Sequence, residues 1–187
     1  GPSKKSEFFD TVFVGSGGVR AGWRAGVYAS IVLVLIATGQ LVTGFFGLSS
    51  RVNPRDMTPG PIFLQELLLF LAAFAAAAAL GLVEGRSIGD YGLPWRRAFR
   101  GHFWQGALWG VAEISFVVLL IAGVGGYFLG PLAGGSRIFF SAASWLAVFL
   151  VVGLAEEYTF RGYLLKTLAA GMGFWPAAIL LSLVFGA

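Results

Sequence analysis

The chain has 187 residues, of which 57% are hydrophobic and only 12% charged, about half the charged share of an ordinary soluble domain. That balance excludes a soluble globular fold, because a domain of this size exposes polar residues over most of its length. The net charge of +4 is too diffuse for a nucleic-acid footprint, and the absence of cysteine excludes disulfides, thiolate nucleophiles and cysteine–zinc sites.

Several apolar runs reach the roughly 20 residues that cross a bilayer as a helix. The expected fold class is all-α: a polytopic transmembrane helical bundle of about four full spans plus an interrupted fifth. Gly1-Pro2 reads as the remnant of a cleaved purification tag. Residues 1–26 then form a glycine-rich cytoplasmic N-terminal segment, and residues 27–187 a single membrane-embedded domain. The first span is predicted over 27–46. It is long enough to span and is followed by no small-residue cleavage site, so it is not a signal peptide.

A polar, proline-containing loop, 51–61, leads to a second span over 62–83, with Pro61 at a helix start that tolerates it. Glu66 lies near that start and reads as interfacial. Residues 75–79 are consecutive alanines, which let neighbouring helices approach closely. The next loop, 84–101, carries Arg86, Asp90, Arg96, Arg97 and Arg100. A third span over 103–129 contains Glu113, which either lines a cavity or makes one polar contact in the bundle. After a turn at 130–137, the fourth span begins at Ile138 and carries Glu156, Glu157 and Arg161 near its far end. Gly171-Met172-Gly173 breaks the chain, and Trp175-Pro176 opens a last apolar segment, 174–187, too short to span and read as truncated in mid-helix. Trp23, Trp95, Trp104 and Trp175 fall near predicted span ends, as an interfacial belt requires. Gly81/Gly85 and Gly126/Gly130 are spaced as Gly-x-x-x-Gly, a weak pattern among 28 glycines.

Lysines and arginines set the orientation. Ten lie on one side of this arrangement and three (Arg51, Arg55, Arg137) on the other. The positive-inside rule then places the N-terminus, the 84–101 loop and the end of the fourth span in the cytoplasm. With no organelle signal, the expected location is a bacterial inner membrane.

Glu156-Glu157-Tyr-Thr-Phe-Arg161 is the most informative stretch. A charged side chain at membrane depth costs about 2.5–3.5 kcal/mol on insertion scales and persists mainly where it is paired or functional. On a helix Glu157 and Arg161 are four apart and share a face in the favourable acid-before-base order. Glu156 lies about 100° around the axis, so Arg161 neutralises Glu157 and Glu156 is freer to take a proton from water. The plain alternative is an ion pair that anchors a helix end beside a solvated Glu156.

Glu156-Glu157-x-x-x-Arg161-Gly162-Tyr163-Leu164 resembles the first motif of the CPBP family, the CAAX-protease and bacteriocin-processing intramembrane proteins. Ser182-Leu-Val-Phe185-Gly-Ala187 is similar to the opening of that family's second motif, Phe-x-x-x-His, whose histidine would fall two residues past Ala187. The 91–96 stretch, Tyr-Gly-Leu-Pro-Trp-Arg, is in the family's style. The resemblance covers mainly 84–187. It implies a metal-independent glutamic protease without cofactor, acting on a peptide or protein substrate in the bilayer. Glu156 would be the general base, Glu157 and Arg161 would support and position it, and Phe185 would mark the helix bringing the second-motif histidine. His102 matches no family position and reads as an ordinary interface residue. The chain as written, lacking that histidine, is expected to be inactive alone. A non-proteolytic immunity or partner-binding member, and a transporter-like bundle with a structural Glu–Arg pair, stay open as alternatives.

Overall fold

The computed structural model describes residues 14–15, 18–48, 58–91, 102–128, 130 and 134–186. Most of the 51–61 loop, the arginines and Trp95 of 92–101, and Leu129 therefore lie outside the described residues. Two two-residue strands, β1 (Val14–Gly15) and β2 (Gly18–Val19), form a minimal antiparallel ladder. All else of any length is helical. The helices are α1 (Ala21–Phe45), α2 (Pro59–Glu84), α3 (His102–Gly123), α4 (Ser136–Glu156), α5 (Leu165–Met172) and α6 (Phe174–Phe185), with a π-helical segment, Glu157–Leu164, joining α4 to α5. Four runs are long and apolar enough to cross a membrane: α1, α2, α3 and the continuous stretch Ser136–Met172. The chain is an all-α polytopic bundle, as its composition dictates.

Boundaries moved where local chemistry outweighs hydropathy. α1 begins six residues before the expected start and takes in Gly22, Arg24 and Gly26, because Arg24 finds a carboxylate, as described below. α2 opens on Pro59 rather than Pro61; both prolines fall in the first turn, where backbone N–H groups lack intrahelical partners. It closes on Gly85 in the left-handed conformation (φ 65°), so that glycine is a helix stop and not half of a dimer motif. α3 stops at Gly123, ahead of Gly125 at φ 78°.

The larger correction concerns the fourth span, which does not end at the Glu-Glu-Arg motif. No proline interrupts residues 157–172, and the helical run continues to Met172, 37 residues in all. At 1.5 Å per residue that is about 55 Å, well beyond a hydrocarbon core of about 30 Å. Glu156 thus lies near the middle of the run, sixteen residues or about 24 Å from its Met172 end.

α1 and α2 form an antiparallel hairpin: Arg24 meets Glu84, and Gly39 faces Leu68. α4 packs on α2, α5 packs on α1 antiparallel to it, and α6 folds back on α5. The alanine run supplies the contact surface. Ala72, Ala73, Ala76 and Ala77, spaced at three and four residues, are buried with Tyr28, Val32, Tyr91, Tyr158 and Tyr163. At Gly171 a Cβ would sit 2.5 Å from the Ala21 Cβ, so the start of α1 crosses α5 there at a distance only glycine permits. α3 carries no buried residue.

One half-buried polar cluster ties the ends of α1 and α2 to the π segment. Glu84 accepts hydrogen bonds from Tyr163 (2.6 Å) on Oε1, and from Arg24 (2.9 Å) and Tyr91 (3.2 Å) on Oε2. Tyr91 closes a 3₁₀ turn, Ile88–Tyr91. Its burial, and then the Glu84 carboxylate, push its hydroxyl above the usual range. In the same turn Ser87 donates its hydroxyl and backbone N–H to Asp90, which holds that carboxyl below its usual range.

Candidate active site

The motif residues occupy the junction of α4 with the π segment. Across it hydrogen bonds run five residues back, as from the Leu165 N–H to the Phe160 carbonyl, yet the flanking residues keep right-handed helical dihedrals. π turns are uncommon and concentrate at functional sites. Here aromatic rings pin the segment on several sides. Tyr158 lies against Phe70 and Phe74 of α2, with centroids 6.0 and 5.7 Å away. Tyr163 stacks on Tyr28 at 4.4 Å and leans on Tyr91 at 5.0 Å. Between them Gly162 passes so near the 3₁₀ turn that a Cβ would stand 2.6 Å from the Tyr91 carbonyl oxygen.

With the segment so held, Glu156, Glu157, Phe160 and Arg161 line one wall of a cleft of about 520 Å³. The opposite wall is α6, through Phe174, Ala178, Leu181, Ser182 and Phe185. These positions recur at the spacing of one helix face. Gly173, at φ 87°, makes the turn into α6, and Leu168 with Ala177 forms the small core that holds α6 on α5. Phe160 and Phe185 meet edge to face across the cleft at 5.2 Å.

All three residues singled out from the sequence, and Phe185, are therefore brought to one cavity. Glu156 and Glu157 keep ordinary helical dihedrals and so their angular separation, yet both line the cleft because it is wide. Arg161 donates to Glu157, and both side chains are more than half exposed to the cleft (72% and 58%). Glu156 is half-buried and has no hydrogen-bond or ion-pair partner among the described residues. Glu66, near the start of α2 as expected, is half-buried and lies within electrostatic range of Glu156 without lining the cleft.

Other candidates lie elsewhere. Glu113 is exposed on α3 and lines no part of the cleft. His102 is the first residue of α3, exposed, with Nδ1 3.2 Å from the Gln105 side-chain oxygen. Trp23, Trp104 and Trp175 are exposed within the first turn of their helices. Among the described residues no three His, Asp or Glu side chains are grouped closely enough to hold a metal ion. Sequence reasoning missed Ser182 as a wall residue, and it missed Glu84, Arg24, Tyr28 and Tyr91 as the support behind the motif. Tyr163, quoted within the motif, was the available signal: a tyrosine one residue from a glycine in an apolar run needs a partner for its hydroxyl.

A family model for Rce1-like type II CAAX prenyl endopeptidases matches residues 137–187, which take in α4, the π segment, α5 and α6. Over these residues the chain is similar to the CAAX-protease family. The match covers both walls of the cleft and none of α1, α2 or α3. No curated protein and no solved structure matches the chain. In this segment Arg161, Gly162 and Tyr163 hold three distinct places: on the cleft, against a backbone carbonyl, and on a half-buried carboxylate.

Proposed function

We propose that the protein is an intramembrane endopeptidase in which Glu156 is the general base. The observation that carries this reading is the cleft itself: an unpartnered carboxylate beside an ion pair, facing an apolar wall, within a helical run long and apolar enough to cross a membrane. Glu156 lines the cleft and has no hydrogen-bond partner among the described residues, so its carboxylate can accept from water. The carboxylate takes a proton from a water molecule as that water's oxygen attacks a peptide carbonyl, and the same proton is then given to the departing amine. Glu157 keeps Arg161 over the cleft, where its remaining N–H donors suit a substrate carbonyl or terminal carboxylate. Phe160, Phe174, Leu181 and Phe185 favour a lipophilic substrate segment, such as a prenylated or leader-type peptide. The partners are a peptide or protein substrate and the lipid bilayer, with the N-terminus in the cytoplasm of a bacterial inner membrane.

Purified protein expressed from its complete reading frame provides the test. Glu156→Gln is expected to lower peptide hydrolysis by about 100- to 10,000-fold, the usual contribution of a general base, with an unchanged melting temperature. Arg161→Ala is expected to lower activity as well, yet to cost below about 1 kcal/mol of stability, because the pair is open to the cleft. Undiminished hydrolysis by Glu156→Gln would overturn the assignment. Activity abolished by a chelator and restored by a metal would replace the glutamate mechanism with a metal one. A wild-type protein that cleaves neither prenylated nor unprenylated peptides would favour the non-proteolytic family role.

A further inference from the structure

A second groove, of about 500 Å³, lies between the start of α1 and the end of α2, away from the Glu156 cleft. Its lining divides by chemistry: Arg24, Glu84 and Arg86 at one part, Val27, Leu80 and Val83 at the other. We infer that this groove binds an anionic phospholipid, its phosphate on Arg24 and Arg86 and its acyl chains along the apolar side. The inference does not depend on the peptidase reading.

Charge is the first argument. Two guanidinium groups face one carboxylate, and that carboxylate is already occupied by Tyr163, Tyr91 and Arg24. The Arg86 Nε is 3.7 Å from Glu84 Oε2, an ion-pair distance without a hydrogen bond, and 39% of its side chain is exposed. Among its lining side chains the groove thus holds one excess positive charge and N–H donors that Glu84 does not use, while Asp90, within electrostatic range of Arg86, is hydrogen-bonded by Ser87. A phosphodiester, with anionic oxygens in a plane that matches the guanidinium fork, complements both.

The second argument is the apolar side. Val27 and Val83 are 47% and 84% exposed beside these arginines. A soluble phosphate gains nothing from them, whereas a lipid covers them with its chains. Position is the third. Arg24 lies in the first turn of α1 and Glu84 is the last residue of α2, so the charged part sits where hydrocarbon gives way to headgroups. The lysine and arginine count assigns this end to the cytoplasmic leaflet, where anionic lipids concentrate and basic pockets between helices capture their headgroups.

Native mass spectrometry of the detergent-solubilised protein, titrated with phosphatidylglycerol or with phosphatidylcholine of the same chains, tests this directly. Phosphatidylglycerol is expected to bind more tightly. Arg86→Ala should weaken it about fivefold, the effect of one basic side chain at an anionic lipid surface, with the melting temperature retained. Lys166→Ala removes a positive charge outside the groove and should leave the affinity unchanged. Equal binding of the two lipids, or equal losses in Arg86→Ala and Lys166→Ala, would overturn the site. Displacement of the lipid by inorganic phosphate at matched concentration would also overturn it, since it would show that the apolar side takes no part.

Discussion

At Gly162 the helix that carries the candidate site comes within one methyl group of the 88–91 turn. An alanine Cβ would lie 2.6 Å from the Tyr91 carbonyl oxygen, which is backbone and cannot rotate away. Gly162→Ala is expected to cost about 1–3 kcal/mol, as overpacking does. It should also lower activity by moving Arg161, its neighbour. Gly106→Ala, where nothing lies within 4 Å, supplies the contrast and should be neutral or slightly stabilising in α3. Thermal melting in detergent measures both, and equal melting temperatures for the two variants would show that the turn retreats freely. The three residues after Phe160 were legible in the sequence as a motif. Their division of labour was not, because Tyr91 and Glu84 stand 71 and 79 positions from Gly162 and Tyr163.

At the scale of elements, the alanine run shows how much a composition signal leaves open. Five consecutive alanines predict close helix approach without saying which of them touch. In the structure Ala76 and Ala77 are fully buried, while Ala75 and Ala79 are exposed. Ala76→Leu should therefore destabilise by about 1–3 kcal/mol by forcing α2 from its neighbours, and Ala75→Leu or Ala79→Leu should not. Comparable losses at all three positions would mean that another surface covers the exposed pair. The π segment teaches the same lesson. Apolar length predicted a span ending at the motif, but the glutamates and the arginine do not end the helix, because a cleft accommodates them.

For the molecule as a whole, the ten-to-three division of basic residues predicts which end faces the cytoplasm. The fold brings Arg24, Arg86 and the end of α5 to one end of the bundle, in keeping with that division. The absence of native cysteine makes the test direct. In intact cells an impermeant maleimide should label Ser50→Cys and leave Ser87→Cys unlabelled; the opposite pattern would invert the topology and move the lipid groove to the outer leaflet.

The sequence by itself determined the solvent, the class and the chemistry on offer. A chain with 57% hydrophobic residues in runs of bilayer length has nowhere to fold but a membrane, and there only helices and closed barrels satisfy their backbones. Three charges in six residues mark a candidate site, because each is costly in hydrocarbon. Tertiary structure alone decided the helix face opposite that site and the carboxylate on which Tyr163 rests. Those facts depend on contacts between residues far apart in the chain. Hydropathy and spacing report only what neighbours along one helix do, so the partner across the bundle, which decides whether a charge is exposed, paired or poised, is settled by packing.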